Sequence, residues 1–276
     1  MEFIVPVLIA LGVVFALAFF LGAVLAVLNK YFAVPGDETV KALRECLPGI
    51  NCGACGYKGC DDYAAAIAEG KAKPNLCVPG AAGVANQLGA VLGIEVEPPK
   101  DVVAFVACNG NCEATGKKAK YDGIKTCYAA NMIYAGPSAC SFGCTGFGDC
   151  AAVCPSNAIC IKDGIAHVDT SRCIGCGLCV DTCPKRIISL VPQDTMIANM
   201  CSSRDKGADA RKLCKNACIG CGKCVKECPS GAIRLENNLA IIDYDKCVRC
   251  GKCAAVCPTG CLKQVFFPDI PEGFEY

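Results

Sequence analysis

Twenty-eight of the 276 residues are cysteine, and most stand in repeated runs. Three runs keep the spacing C-x2-C-x2-C-x3-C-P: Cys173, Cys176, Cys179 and Cys183 before Pro184; Cys218, Cys221, Cys224 and Cys228 before Pro229; Cys247, Cys250, Cys253 and Cys257 before Pro258. A fourth run is stretched, with Cys140, Cys144, Cys150 and Cys154 before Pro155. Nearer the N-terminus, Cys52, Cys55 and Cys60 share a glycine-rich loop, and Cys77 follows farther on. Thiolates are soft ligands, and four of them hold one [4Fe–4S] cluster, the group these spacings serve. A chain of such clusters passes electrons one at a time.

Competing readings of the cysteines are weaker. A disulfide scaffold belongs to short secreted chains with irregular spacing, and this chain is neither short nor irregular in its runs. Four-cysteine zinc sites come as two separated pairs, whereas here the third and fourth cysteines follow at once. The net charge of +1, with no basic tract, offers nothing to nucleic acid. There is one histidine and no tryptophan, so histidine-based catalysis has little support and no catalytic residue is expected. No Gly-x-Gly-x-x-Gly opens a helix, so no NAD or flavin site is expected either.

The four later runs fall into two pairs. The stretch from Cys154 to Cys173 aligns without a gap on that from Cys228 to Cys247, with identical residues at eight of twenty positions. The shared core, Pro-Ser-x-Ala-Ile and then alternating apolar residues up to Asp169 or Asp243, predicts a short hairpin between two cluster loops. In two-cluster ferredoxins the fourth cysteine of each run ligates the other cluster. The expected sets are therefore Cys140, Cys144, Cys150 and Cys183; Cys173, Cys176, Cys179 and Cys154; Cys218, Cys221, Cys224 and Cys257; and Cys247, Cys250, Cys253 and Cys228. With Cys52, Cys55, Cys60 and Cys77 this makes five [4Fe–4S] clusters, at four thiolates each.

The same alignment lays His167 over Ile241 and Cys160 over Arg234, so neither is expected to ligate. Cys46 and Cys261 stand outside the spacings. Cys108, Cys112 and Cys127 are candidates for a sixth metal site, to which Cys201 or Cys214 could add a fourth ligand; buried inert thiols are the default.

These loops need elements to hold them. Residues 3–29 carry no charge, which is long enough for a membrane-crossing helix. Glu2 before it and the length of the apolar stretch argue against a cleaved signal peptide. Lys30 just after it favours a cytoplasmic C-terminal part. A short helix is predicted over 61–69, ended by Gly70, another over 83–92, and a buried strand over 102–107. The predicted class is α+β: a transmembrane anchor (1–33), a [4Fe–4S] module (34–95), a connecting region (96–135), a first two-cluster unit (136–192), a linker (193–212), a second unit (213–265) and a tail (266–276).

One apolar N-terminal helix, then C-x2-C-G-x2-G-C-x16-C, then paired C-x2-C-x2-C-x3-C-P runs: this order resembles the B component of the Rnf complexes, ion-translocating ferredoxin:NAD+ oxidoreductases. The Cys52–Cys77 module is the most specific element, and the stretches from Lys120 to Cys127 and from Gly136 to Cys140 also look like the family. The resemblance implies a component held in the cell (inner) membrane by a single pass, with its clusters on the cytoplasmic side. It would take electrons from reduced soluble ferredoxin and pass them to the other subunits, while the complex reduces NAD+ and moves Na+ or H+. The basic loops Lys117, Lys118, Lys120 and Lys206, Arg211, Lys212, Lys215 could steer an acidic ferredoxin. The alternatives are an anchored ferredoxin-like subunit of a hydrogenase or formate dehydrogenase, and a zinc-bearing interaction protein.

Overall fold

The structure, a computed structural model, describes residues 12, 15, 17–24 and 38–265. Most of the expected membrane anchor and the C-terminal tail lie outside the described residues. The described residues of 12–24 are helical, with Phe15, Phe19 and Phe20 exposed. Among the described residues, no helix is long and apolar enough to cross a membrane.

From Ala42 onward the chain forms one compact unit. It starts with three helices, α1 (Glu38–Cys46), α2 (Cys60–Ala68) and α3 (Ala81–Leu92). Alanines in α2 let Tyr63, Ala64 and Ile67 pack inward without crowding. Gly70, at φ +70°, carries the chain out of this helix, and Gly93 ends α3 in the left-handed region, where glycine has no Cβ penalty.

The rest is built twice. Two tight hairpins form the centres: β2 (Ile159–Lys162) with β3 (Ile165–Val168), and β6 (Ile233–Glu236) with β7 (Leu239–Ile242). Cys160 pairs with His167 and Arg234 with Ile241, so the two hairpins share one register, as the internal alignment requires. Each repeat also has an outer antiparallel pair: β1 (Val102–Val106) with β4 (Ile188–Pro192), and β5 (Ile197–Asn199) with β8 (Leu262–Gln264). β1 thus comes from the expected connecting region and β5 from the expected linker. Each strand finds its partner only after a full repeat has been threaded between them. The apolar run of β1 is buried on both faces, through Ala104 and Val106 on one side and Val103 and Phe105 on the other.

Candidate metal centres

Short helices follow a left-handed residue at four places, each carrying one cysteine inward. Gly148 precedes Asp149–Ala152 with Cys150; Gly177 precedes Leu178–Thr182 with Cys179; Gly222 precedes Lys223–Glu227 with Cys224; Gly251 precedes Lys252–Ala255 with Cys253. Two residues earlier stands a second left-handed residue: Gly146, Gly175, Gly220 or Arg249. These four loops are therefore equivalent.

The equivalence changes the reading of the stretched run. Gly146 and Gly148 match Gly175 and Gly177, so Cys144 takes the place of Cys173, the first cysteine of a regular run. Cys144, Phe147, Cys150 and Cys154 then keep the regular spacing, with Phe147 where the second cysteine belongs. The Cys144 sulfur receives the N–H groups of Gly146 and Ala166, and Cys218 receives those of Gly220 and Ala240, at matching positions. Phe147 turns aside to pack on Tyr121, with ring centroids 5.7 Å apart.

Cys127 fills the gap. Cys127, Cys144, Cys150 and Cys183 line one apolar cavity. Cys140, expected in this set, does not line it and lies beside Cys108 instead. One point at Gly143 is 3.6 Å from Cys140 Sγ and 3.7 Å from Cys108 Sγ. The physical reason is the loop path: Gly146 presses on the hairpin tip at Gly164, and the chain before Cys144 has already turned away. Cys127 is aimed by Asp149, next to Cys150. The Asp149 carboxylate accepts the N–H of Cys127 at 2.8 Å and of Tyr128 at 3.1 Å, and Thr126 Oγ1 accepts that of Ala129 at 3.1 Å. Asp149→Ala should lower stability by about 1 kcal/mol, the cost of a lost cap. A thermal scan reads it directly, and an unchanged midpoint would mean the clamp holds nothing.

The other expected sets are brought together. Cys218, Cys221, Cys224 and Cys257 line one cavity, with Cys261 as a fifth thiol. Cys228, Cys247, Cys250 and Cys253 line another. The thiols of Cys154, Cys173 and Cys176 surround Cys179. Those of Cys52, Cys55 and Cys60 surround Cys77, with Cys52 also beside Cys176. Tyr63 braces this first loop, its hydroxyl donating to Lys73 O at 2.8 Å and accepting from Leu76 N at 3.0 Å.

These sites fit [4Fe–4S] clusters on two counts. Each gathers four thiols, and in the four sites of the repeats one of them is the fourth cysteine of the other run. Backbone N–H groups point at the sulfurs, as outer-shell donors to cluster ligands do: Ala104 to Cys173, Ala158 to Cys154 and Ala232 to Cys228, all at 3.3 Å. Burial pushes the Cys150 and Cys179 thiols up to about 12, reinforced by the neighbouring cysteines. Without a cation such thiols stay protonated; a bound cationic core deprotonates them and offsets their mutual repulsion.

Several other residues take plain places. Cys46 Sγ donates to Ala42 O within its helix at 3.3 Å. Cys160 sits in the hairpin, and Cys112 is exposed beside the hairpin tip, its N–H on Asp163 O. Cys261 matches Ile187 of the first repeat, but its thiol hydrogen-bonds Cys218, which lowers the Cys218 pKa and raises its own. Lys118 Nζ is held by Tyr134 O at 2.6 Å, while Lys120 pairs with Asp122 and Lys212 with Asp209.

Four-thiol cavities paired by crossed loops, built twice around matched hairpins, define an iron–sulfur protein of the dicluster type. Family models agree: one described as a putative Fe-S cluster matches residues 47–79, and a 4Fe-4S dicluster domain matches residues 139–187 and 217–261. A second dicluster model spans residues 172–233, across the two repeats. The chain is 43% identical over 241 residues to the B component of a Na(+)-translocating ferredoxin:NAD(+) oxidoreductase complex of Acetobacterium woodii, covering 87% of this chain and 72% of that one. It is 41% identical to the proton-translocating counterpart of Clostridium ljungdahlii, covering 87% and 83%. It is 37% identical to the B component of an ion-translocating oxidoreductase complex of Methanosarcina acetivorans, covering 86% and 90%. The chain belongs to this family of B components, the Rnf type.

Proposed function

We propose that this chain is the iron–sulfur electron-transfer subunit of a membrane complex that couples ferredoxin oxidation and NAD+ reduction to Na+ or H+ translocation. The observation that carries it is the succession of four-thiol sites, the first three of which abut one another. Cys52 of the first module lies beside Cys176, and Cys179 beside Cys150. Bound clusters there would each take up and release one electron. The chain's own part is to hold them close through crossed ligation, to keep water out with apolar walls, and to aim N–H groups at the sulfurs, which tunes potential.

The ligands in this reading are Cys52, Cys55, Cys60 and Cys77; Cys127, Cys144, Cys150 and Cys183; Cys154, Cys173, Cys176 and Cys179; Cys218, Cys221, Cys224 and Cys257; and Cys228, Cys247, Cys250 and Cys253. Reduced soluble ferredoxin is the donor, steered by positive charge at Lys117, Lys206, Arg211 and Lys215. Apolar residues 3–29 anchor the chain by a single pass in the cell membrane, with the cluster domains on the cytoplasmic side.

The complex purified without oxygen tests this. Reduced ferredoxin should drive NAD+ reduction, and Cys52→Ala should abolish it with loss of about four irons from this chain. Zinc without acid-labile sulfide would overturn the reading, and unchanged activity in Cys52→Ala would remove the first module from the path.

A further inference from the structure

Cys108, Cys140, Cys201 and Cys214 are outside the five sets, and the internal duplication relates them as two matched pairs. Cys108 stands two residues after β1 and Cys201 two residues after β5, the equivalent strand. Cys108 Sγ accepts the N–H of Gly110 at 3.4 Å, and Cys201 Sγ accepts that of Ser203 at 3.4 Å. Cys108 also accepts the N–H of Cys144 at 3.4 Å, and Cys201 that of Cys218. Cys144 and Cys218 are the equivalent first cysteines of their runs. Cys140 and Cys214 complete the symmetry, each preceding that first cysteine in a C-x3-C step, Cys140-Ser-Phe-Gly-Cys144 and Cys214-Lys-Asn-Ala-Cys218.

The two halves face each other. One point at Gly110 is 3.4 Å from Cys214 Sγ and 3.6 Å from Cys108 Sγ. The Cys140 thiol is an electrostatic neighbour of Cys108, Cys201 and Cys214 alike. Residues 111–118 lace the halves together. Thr115 bridges to Cys214 and Lys117 to Ser138, Thr115 Oγ1 donates to Leu213 O at 2.8 Å, and Asn216 Nδ2 donates to Asn109 O at 2.8 Å. Cys108, Cys140 and Cys214 are all buried.

We propose that Cys108, Cys140, Cys201 and Cys214 bind a sixth [4Fe–4S] cluster, seated where the two dicluster repeats meet. This rests on reading the chain as an iron–sulfur electron carrier. A single zinc ion is the poorer fit, because its four sulfurs would have to converge to about 2.3 Å from one point. The position explains what the site is for. One N–H···S bond joins it to Cys144, a ligand of the first repeat, and another joins it to Cys218, a ligand of the second. A reduced cluster of the first repeat is oxidised by one electron as this cluster is reduced, and the same exchange follows with the second repeat. No bond forms or breaks and no proton moves. The site thus touches a ligand loop of each repeat and would give the two repeats a shared electron path.

The test is metal and sulfide content of the anaerobically purified full-length chain in its complex. Wild type should carry about 24 irons and as many sulfides on this chain, where five clusters would give about 20. Cys201→Ser and Cys214→Ser should each lose about four irons, and one reducible signal by EPR, while Cys160→Ser loses none. About 20 irons in wild type, or Cys214→Ser with wild-type iron, would overturn the proposal, as would one zinc lost in place of four irons. The wild-type count decides the matter even if a variant fails to fold. Iron and sulfide absent altogether would instead sink the electron-carrier reading on which this rests.

Discussion

Cys127→Ala, in the chain purified without oxygen, is expected to lose about four irons, and Phe147→Cys in the same chain to restore them. The argument is geometric. Cys144, Cys150 and Cys183 line one cavity with Cys127, and the regular second-cysteine position of that run is held by Phe147. Phe147 lies between Gly146 and Gly148, whose backbone conformations match those flanking Cys176 and Cys221. A cysteine there should therefore project into the cavity as Cys176 and Cys221 do in theirs. The swap costs the ring contact with Tyr121, worth about 1 kcal/mol, against the much larger free energy of a bound cluster. EPR of the dithionite-reduced protein reads the loss and the recovery. If Cys127→Ala keeps all its iron, Cys127 is a packing thiol. If Phe147→Cys fails to rescue a folded variant, the two loops are not equivalent.

The second large effect concerns backbone. Gly146→Ala should destabilise the protein by about 3 kcal/mol or more, whereas Gly83→Ala should stabilise it by up to about 1 kcal/mol. The chemical change is the same. Gly146 sits at φ +78°, where a Cβ costs roughly 1–2 kcal/mol, and that Cβ would lie 2.4 Å from Gly164 O. The obstacle is backbone of the hairpin turn, also at positive φ, and cannot rotate away as a side chain would. Gly83 is inside the helix Ala81–Leu92 with nothing within 4 Å of its would-be Cβ, so alanine there mainly reduces the entropy of the unfolded chain. Thermal scans at one fixed rate should separate the variants by on the order of 10 °C, at a few degrees per kcal/mol for a chain of this size. Equal midpoints would show that the Gly146–Gly164 approach is not needed. Gly146→Ala should also release iron faster to a chelator, because Gly146 donates its N–H to Cys144.

Much of the site was legible because iron–sulfur ligation is local. A run with fixed short spacing curls its thiols around one centre whatever surrounds it. The three regular runs, and the equivalence of Cys160 with Arg234 and of His167 with Ile241, therefore appear in the sequence and again in strand register. The stretched run carried a readable signal that its extra cysteine obscured: Cys144, Phe147 and Cys150 keep regular spacing, and the paired C-x3-C steps at Cys140 and Cys214 mark a second duplicated element.

By itself, the sequence determined the kind of group bound, the internal duplication, and the loops that present most of the thiols. Each of these depends on neighbours a few residues apart, where chain stiffness and φ preferences decide geometry. Only the tertiary structure decided that Cys127 joins Cys144, that Cys140 turns to Cys108, and that Val102–Val106 and Ile197–Asn199 close their repeats as outer strands. These partners are far apart along the chain. They meet because burial of the outer strands and hydrogen bonds such as Thr115 Oγ1 to Leu213 O bring the two repeats into register, and spacing within a motif carries no information about that return.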